Sequence, residues 1–211
     1  MKNRVVLLKG GTRKDYFVGD VRVSEAICSA VVLVQAGGKN LVVDPGAMGC
    51  GDEVLKRLKS NGVKAADVDV IVNTHLHFDH TYNNHLFPNA VIYTPTSVWY
   101  PDGGNRVELH PVLTDPRIPG VRFISTPGHM EKHISVVVER GGKKIVIAGD
   151  AVREDIINKG DASKYANPAE YFKSMKRIFD VADEIIPGHG PVIKGEKLRR
   201  LRAQLKRTIP P

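Results

Sequence analysis

Six residues, His75-Leu76-His77-Phe78-Asp79-His80, hold four metal-ligand side chains and constrain this 211-residue chain more than any other stretch. Three further residues of the same chemistry stand far away in sequence. His129 follows Thr126-Pro127-Gly128, Asp150 follows Gly149 at the end of an apolar run, and His189 sits in Pro187-Gly188-His189-Gly190. Imidazoles and carboxylates are the donors preferred by zinc, iron and manganese. Burying so many of them unpaired would be prohibitively costly. A fold that accepts them must bring four separate stretches together around cations, and the number of donors suggests two ions.

The local pattern suggests how they divide. In an extended loop alternate side chains share a side, so His75 and His77 can reach one ion while Asp79 and His80 turn toward another. His129 and His189 arrive from distant strand ends, and Asp150 has two oxygens with which to bridge. Two ions roughly 3.5–4 Å apart can hold a hydroxide at neutral pH and polarise a carbonyl or phosphoryl oxygen. Hydrolysis follows without a serine or cysteine nucleophile, and Asp79 and Asp150 are taken as catalytic as well as ligating.

The rest of the chain reads as alternating short strands and helices. Val31–Gln35 and Lys39–Val43 flank Ala36-Gly37-Gly38 as a hairpin. Asp52–Ser60 has helical spacing with Gly62 as its stop, and Val68–Val72 is a buried-type strand that delivers the histidine cluster. Ala90–Tyr93 and Val121–Ser125 are strands, and residues 94–120 between them read as a long surface excursion rich in Pro, Gly, Asp and Asn. Ile134–Glu139 and Lys143–Ala148 form a second hairpin. Asn167-Pro168-Ala169-Glu170 starts a helix, with Asn as cap and Pro in the first turn. Phe172, Met175 and Phe179, with Ile178 beside them, are its core stripe. Glu184–Ile186 is a last strand. Each half thus offers a hairpin, a helix, a strand and a ligand-bearing loop, with no linker between, so residues 1–211 are read as one domain.

Hydrophobic residues make up 42% of the chain, enough for an extensive core. No apolar run approaches the roughly 18–20 residues of a membrane span. Val5–Leu8 is too short for a signal-peptide core, and a cytoplasmic location is expected. The net charge of +8 raises the question of a polyanionic partner. Much of the excess lies near the C-terminus, where Lys197, Arg199, Arg200, Arg202, Lys206 and Arg207 surround Leu198, Leu201 and Leu205 at helical spacing. That segment, about 196–207, reads as an amphipathic helix with a solvated basic face; the competing reading is an RNA-binding track. Cys28 and Cys50 do not make a disulfide scaffold, and Cys50 is read as incidental.

The ligand motif His75-Leu-His-Phe-Asp-His80, His129 after Thr-Pro-Gly, Gly149-Asp150 and His189 in Pro-Gly-His-Gly resembles the metallo-β-lactamase-fold hydrolase superfamily. Asp44 in Val-Val-Asp-Pro-Gly matches its early Asp-x-Gly element. Thr126-Pro-Gly-His with Ile134–Val138, Ile147–Glu154 and Ala182–Gly190 are similar to one group within it, the small metallo-β-lactamase domain-containing protein 1 sequences. The resemblance implies an α+β, four-layer αβ/βα sandwich with two divalent metals, zinc first, with iron or manganese as alternatives. It implies that His75, His77 and His129 hold the first metal and Asp79, His80 and His189 the second, with Asp150 between. Asp44 and Thr74 would orient the ligands.

The expected reaction is hydrolysis of an ester, thioester, lactone or phosphoester in a small-molecule substrate. Alternatives are an RNA nuclease using the basic tail and a mono-iron sulfur dioxygenase. His-Leu-His-Phe-Asp-His also resembles lactone hydrolases, but the tyrosine they place soon after the bridging aspartate is missing at Ala151, Val152 and Arg153. A homodimer is expected by resemblance. Among other residues, His85 is read as packing or capping, His110 as exposed, and His133, which starts a strand close to His129, as an ordinary strand residue, with a supporting or substrate contact as the alternative. Tyr82, Trp99, Tyr100 and Arg153 are candidate pocket walls.

Overall fold

The computed structural model describes residues 2–102, 106–110, 115–165 and 167–208. Strand β1 (Arg4–Lys9) leads into an arm of two strands, β2 (Thr12–Val18) and β3 (Val21–Cys28), and then into the hairpin β4 (Val31–Ala36) and β5 (Lys39–Val43). Helix α1 (Gly51–Ser60), β6 (Val70–Val72), the short helix α2 (Phe78–Thr81), and strands β7 (Val91–Tyr93), β8 (Ser97–Trp99) and β9 (Val107–Leu109) complete the first half. The second comprises β10 (Val121–Ser125), β11 (Ile134–Arg140), β12 (Lys143–Gly149), α3 (Glu154–Lys159), α4 (Pro168–Val181), β13 (Glu184–Pro187), β14 (Ile193–Lys194) and α5 (Gly195–Thr208).

The strands form a seven-stranded sheet, ordered β1-β4-β5-β6-β7-β8-β9, and a five-stranded sheet, β10-β11-β12-β13-β14. The repeated rhythm of the sequence has a structural counterpart. In each half an antiparallel hairpin is followed by a helix and then by a strand parallel to the hairpin's second member, β6 beside β5 and β13 beside β12.

Strand alternation explains the layering. Val32 and Val34 of β4 point into the space between the sheets, where they meet Val136 and Val138 of β11. Val31 and Leu33 point the other way, onto Val54 and Leu58 of α1. On the outer face of the second sheet, Val137 and Val146 pack against α3, α4 and α5. Three apolar interfaces between four layers give an αβ/βα sandwich, as expected of nearly continuous apolar strands covered on both faces.

The basic C-terminal segment is a helix whose apolar stripe is core. Leu198, Leu201 and Leu205 are buried against Phe179 and Ile178. Its cations are partly engaged: Lys197 and Arg200 pair with Glu154, and Arg202 donates to the carbonyls of Phe179 and Ala182, both at 2.8 Å, at the end of α4. Leu201→Ala is therefore expected to lower unfolding free energy by about 2–5 kcal/mol, as for other buried leucine truncations, measured by urea denaturation. A loss below about 1 kcal/mol would show that the helix is not part of the core.

Two expectations need correction. The excursion at 94–120 is not all loop. Val98 is buried, and β8 and β9 pair with each other and extend the first sheet beyond β7. Three-residue edge strands carry too little periodicity to read from sequence; residues 103–105 and 111–114 of that excursion lie outside the described set. In α4 the buried aromatic at the first turn is Tyr171, while Phe172 is only partly covered. Cys28 and Cys50 are buried together: a Cβ added to Gly46 would stand 3.0 Å and 2.6 Å from their sulfurs. Among the described residues no helix is long and apolar enough to cross a membrane.

Candidate metal centre

The site forms where strand ends of both sheets meet. Asp44 follows the end of β5, Asn73-Thr74-His75 the end of β6 and Asp150 the end of β12, while β10 runs toward His129 and His189 lies two residues beyond β13. Backbone bonds lock these loops together. Ile134 N donates to Thr74 O (2.9 Å), joining the two sheets, and Gly188 N donates to Gly149 O while Ala30 N donates to Gly188 O, both at 2.7 Å. The Asn73 and Asn84 side chains exchange amide hydrogen bonds of 3.1 and 2.9 Å under the histidine loop.

Such close approach needs missing side chains. A Cβ on Gly188 would stand 2.2 Å from Asp150 Oδ1, and one on Gly149 would stand 2.4 Å from Thr74 Oγ1. Gly149 also has a φ of +51°, which glycine adopts without strain.

All seven sequence-identified residues converge. The ligand atoms of His75, His77 and His129 lie within 4.8 Å of one another, and so do those of Asp79, His80 and His189. Asp150 stands between the two groups. Its Oδ2 is 3.5 Å from His129 Nε2, and its Oδ1 is 3.5 Å from both His80 Nε2 and His189 Nε2. His75 Nε2 and His129 Nε2 approach His77 Nδ1 at 3.0 and 3.1 Å.

On three of the five histidines the ring atom that points away is held by another group, while His129 Nδ1 is buried without a hydrogen bond among the described residues. His80 Nδ1 bonds Asp44 Oδ2 at 2.8 Å, His189 Nδ1 bonds Thr12 O at 3.1 Å, and His75 Nδ1 lies 3.1 Å from Thr74 Oγ1. Asp44 also accepts from Thr74 N (2.8 Å) and Thr74 Oγ1 (2.7 Å). Its φ of +50° is left-handed, a conformation that Asp and Asn tolerate better than most residues.

The inward atoms are different. Asp79 Oδ2, His80 Nε2, Asp150 Oδ1 and His189 Nε2 are buried and make no hydrogen bond among the described residues. Converging buried acceptors without donors are what a cation would satisfy. Charge states agree with that. Burial pushes His75 well below the ordinary histidine range and His129 down to about 4, which leaves neutral imidazole lone pairs. Burial would raise the Asp150 carboxyl, but surrounding His80, His189 and His129 hold it well below the carboxylate range. For His80 burial works downward, yet Asp44 and Asp150 lift it to about 10. The same two carboxylates favour positive charge at the position of His80. The donor set fits a pair of divalent cations, with His75, His77 and His129 on one side, Asp79, His80 and His189 on the other, and Asp150 facing both.

The remaining candidates separate clearly. His133 is buried behind His75, with their rings stacked at 5.0 Å, and its Nδ1 bonds Thr126 Oγ1 at 2.8 Å. His85 bonds its own turn at Tyr82 O, and His110 faces Glu108; neither joins a ligand group. Arg153 is bound by Asp155 at 3.0 and 3.1 Å, and Tyr100 is covered by Arg106 at 3.8 Å. Two tyrosines were not legible as site residues. Tyr171 donates to Asp150 O at 2.7 Å, and the Tyr165 ring meets His129 edge to face at 5.1 Å. Tyr165 lines the cavity over the ligands, about 280 Å³ in volume, together with His77, Asp79, His129 and Asp150. A larger cavity of about 550 Å³ shares only His189 with the ligands, so the smaller one is where chemistry can occur.

Asp44→Asn keeps the left-handed backbone acceptable while removing the charge that fixes the His80 tautomer. We expect it to weaken metal binding by about 10–100-fold, the usual cost of losing such a support, in competition titrations with a chelator. Unchanged affinity would mean that the Asp44–His80 bond does not orient the ligand.

Known proteins place the fold. The sequence profile of the metallo-β-lactamase superfamily matches residues 26–100. The chain is 33% identical to metallo-β-lactamase domain-containing protein 1 of Xenopus laevis, over 83% of this chain and 76% of that protein. It is 33% identical to the protein of the same name in Homo sapiens over 75% of this chain, but spans 61% of the human protein's length. A probable metallo-hydrolase of Methanocaldococcus jannaschii is 30% identical over 74% of this chain and 85% of the relative. Among solved structures, a hydrolase of the β-lactamase superfamily superposes with a TM-score of 0.62 at 21% identity, covering 87% of this chain and 91% of that one. An N-acyl homoserine lactone hydrolase, with its product bound at the catalytic metal centre, gives 0.59 at 18% identity, covering 85% and 88%. With relatives matched over most of both lengths and the same fold around the gathered ligands, this chain belongs to the metallo-β-lactamase superfamily of metallo-hydrolases.

Proposed function

We propose that the protein is a dinuclear hydrolase, zinc-dependent in the first instance, acting on an ester, thioester, lactone or phosphoester of a small molecule. The observation that carries this reading is the double gathering of ligands, with the two oxygens of Asp150 turned to opposite groups. When bound, the two ions supply an activated water at neutral pH and a Lewis acid for the oxygen of the scissile group.

The chain's own residues prepare that chemistry. Asp44 holds His80 with Nε2 inward, Thr12 O does the same for His189, and Tyr171 pins the Asp150 backbone. Tyr165 forms a wall of the cavity beside His129. Leu76 and Phe78 alternate with the ligands in sequence and are 59% and 81% exposed, which leaves apolar surface on the ligand loop.

Two ligand groups favour two ions over the single iron of a sulfur dioxygenase. Lys197, Arg200 and Arg202 are engaged within the fold, which takes three of the six cations of the C-terminal helix away from a phosphate track and weighs toward a small molecule over RNA.

The test is a panel of nitrophenyl esters, thioesters, lactones and phosphodiesters, assayed before chelation, after it, and after return of zinc, manganese or iron(II). Turnover of at least one class, abolished by chelation and restored best by zinc, is expected. Inactivity of the fully loaded protein across the panel, or activity that survives chelation, would overturn the reading.

A further inference from the structure

One wall of the metal cavity is cationic. Arg13 and Arg22 come from the β2–β3 arm and Lys164 from the loop before α4, and all three line the 280 Å³ cavity alongside His77, Asp79 and Asp150. None of the three belongs to a ligand group. The arm that carries the two arginines is a separate two-stranded sheet, outside both large ones.

The acids nearby do not neutralise this wall. Asp15 accepts from Arg13 Nε at 2.9 Å, from Arg22 Nη2 at 2.6 Å and from Ser24 Oγ at 2.6 Å. One carboxylate therefore fixes two guanidiniums while cancelling a single charge. Asp155 lies 4.0 Å from Lys164 but is already bound by Arg153 at 3.0 and 3.1 Å. Arg13, Arg22, Arg153 and Lys164 exceed Asp15 and Asp155 by two positive charges, and the two other carboxylates of the cavity, Asp79 and Asp150, face His80, His129 and His189 in the ligand groups. Among the described residues Lys164 makes no hydrogen bond, and Arg22 makes one with its five N–H donors. Burial and then the Arg153 guanidinium hold the Lys164 ammonium below its usual range, against the pull of Asp155 and with smaller contributions from Arg22 and Arg13. Preorganised cations with spare donors in a concave, partly desolvated site attract and orient anions.

We propose that Arg13, Arg22 and Lys164 form an anion subsite beside the metal centre, which takes a carboxylate or phosphate that the substrate carries close to its scissile bond. The statement about substrate rests on the hydrolase reading, whereas the anion site itself does not. It makes acidic esters, thioesters, lactones or phosphoesters the preferred class, and it gives the β2–β3 arm a part in selecting them.

Inorganic phosphate and succinate, titrated calorimetrically into the chelator-treated and the zinc-loaded chain, test the subsite. The variants are Arg22→Gln, Lys164→Gln and their combination, with Lys59→Gln on α1 as a control for net charge. Arg22 and Lys164 are 38% and 37% exposed, so folding is not at stake. The double variant is expected to lose at least tenfold in affinity for one or both anions in both metal states, while Lys59→Gln stays within twofold of wild type. Tighter binding of phosphate than of succinate assigns a phosphorylated substrate, and the reverse a carboxylated one. A smaller loss, an equal loss in Lys59→Gln, or no measurable binding to wild type overturns the subsite. In parallel, the kcat/KM ratio of mono(4-nitrophenyl) succinate to 4-nitrophenyl acetate should fall at least tenfold in the double variant. If the loaded wild type cleaves no member of the ester, thioester, lactone and phosphodiester panel while anion binding responds as expected, the hydrolase reading fails and the subsite stands. If both esters are cleaved and anion binding ignores the substitutions, the subsite fails and the hydrolase stands.

Discussion

An Asp150→Ala chain should hold one ion or none and lose turnover by about a thousandfold or more, equivalent to about 4 kcal/mol of transition-state stabilisation. Asp150 is 2% exposed and is the one residue whose two oxygens face different ligand groups. Removing it withdraws a negative charge from both proposed ion positions at once, and among the described residues no other carboxylate stands between the two ligand groups. Elemental analysis and steady-state kinetics on the same preparation provide the check. Retention of two ions per chain would break the bridging assignment even if activity fell.

The second large effect is on folding. Gly128→Ala is expected to destabilise the chain by about 3 kcal/mol or more, the range of severe backbone and overpacking defects. Gly128 has a φ of +127°, and an added Cβ would stand 2.3 Å from Tyr171 Cα and 2.5 Å from Tyr171 N. The obstacle is helix backbone, which cannot rotate aside as a side chain could. For a domain of this size that corresponds to a fall in melting temperature of roughly 6–12 °C. Since His129 is the next residue, metal affinity should fall with it. A melting temperature within about 2 °C of wild type would show that the Gly128–α4 contact is looser than it stands here.

The ligands were legible because their chemistry is conspicuous: four donors in six residues have few structural explanations, and His129, Asp150 and His189 each follow a strand or a turn that fixes a loop. Asp44 was legible only through resemblance. Nothing in a lone Asp-Pro-Gly turn says that its carboxylate will hold His80 from 36 residues away.

Tyr171 shows why other parts were hidden. Helical spacing allowed either Tyr171 or Phe172 to face the core, and apolarity favoured Phe172. The tyrosine is the one wholly buried because its hydroxyl finds Asp150 O, a partner supplied by the second sheet. Arg13 and Arg22 were hidden for a related reason. In sequence they are ordinary polar positions, and only the path of the β2–β3 arm brings them to the mouth of the site. Tyr165, in the polar stretch Asp161–Tyr165, gave no periodic signal, and its contact with His129 spans loops from different strands.

Metal stoichiometry is the most direct measurement. The chain, purified without chelator and loaded with zinc, is dialysed and analysed for metal and protein content together. Two ions per chain are predicted, falling to one or none in Asp150→Ala. A single tightly held ion in the wild type, or none, would contradict a dinuclear centre built from His75, His77, His129, Asp150, Asp79, His80 and His189.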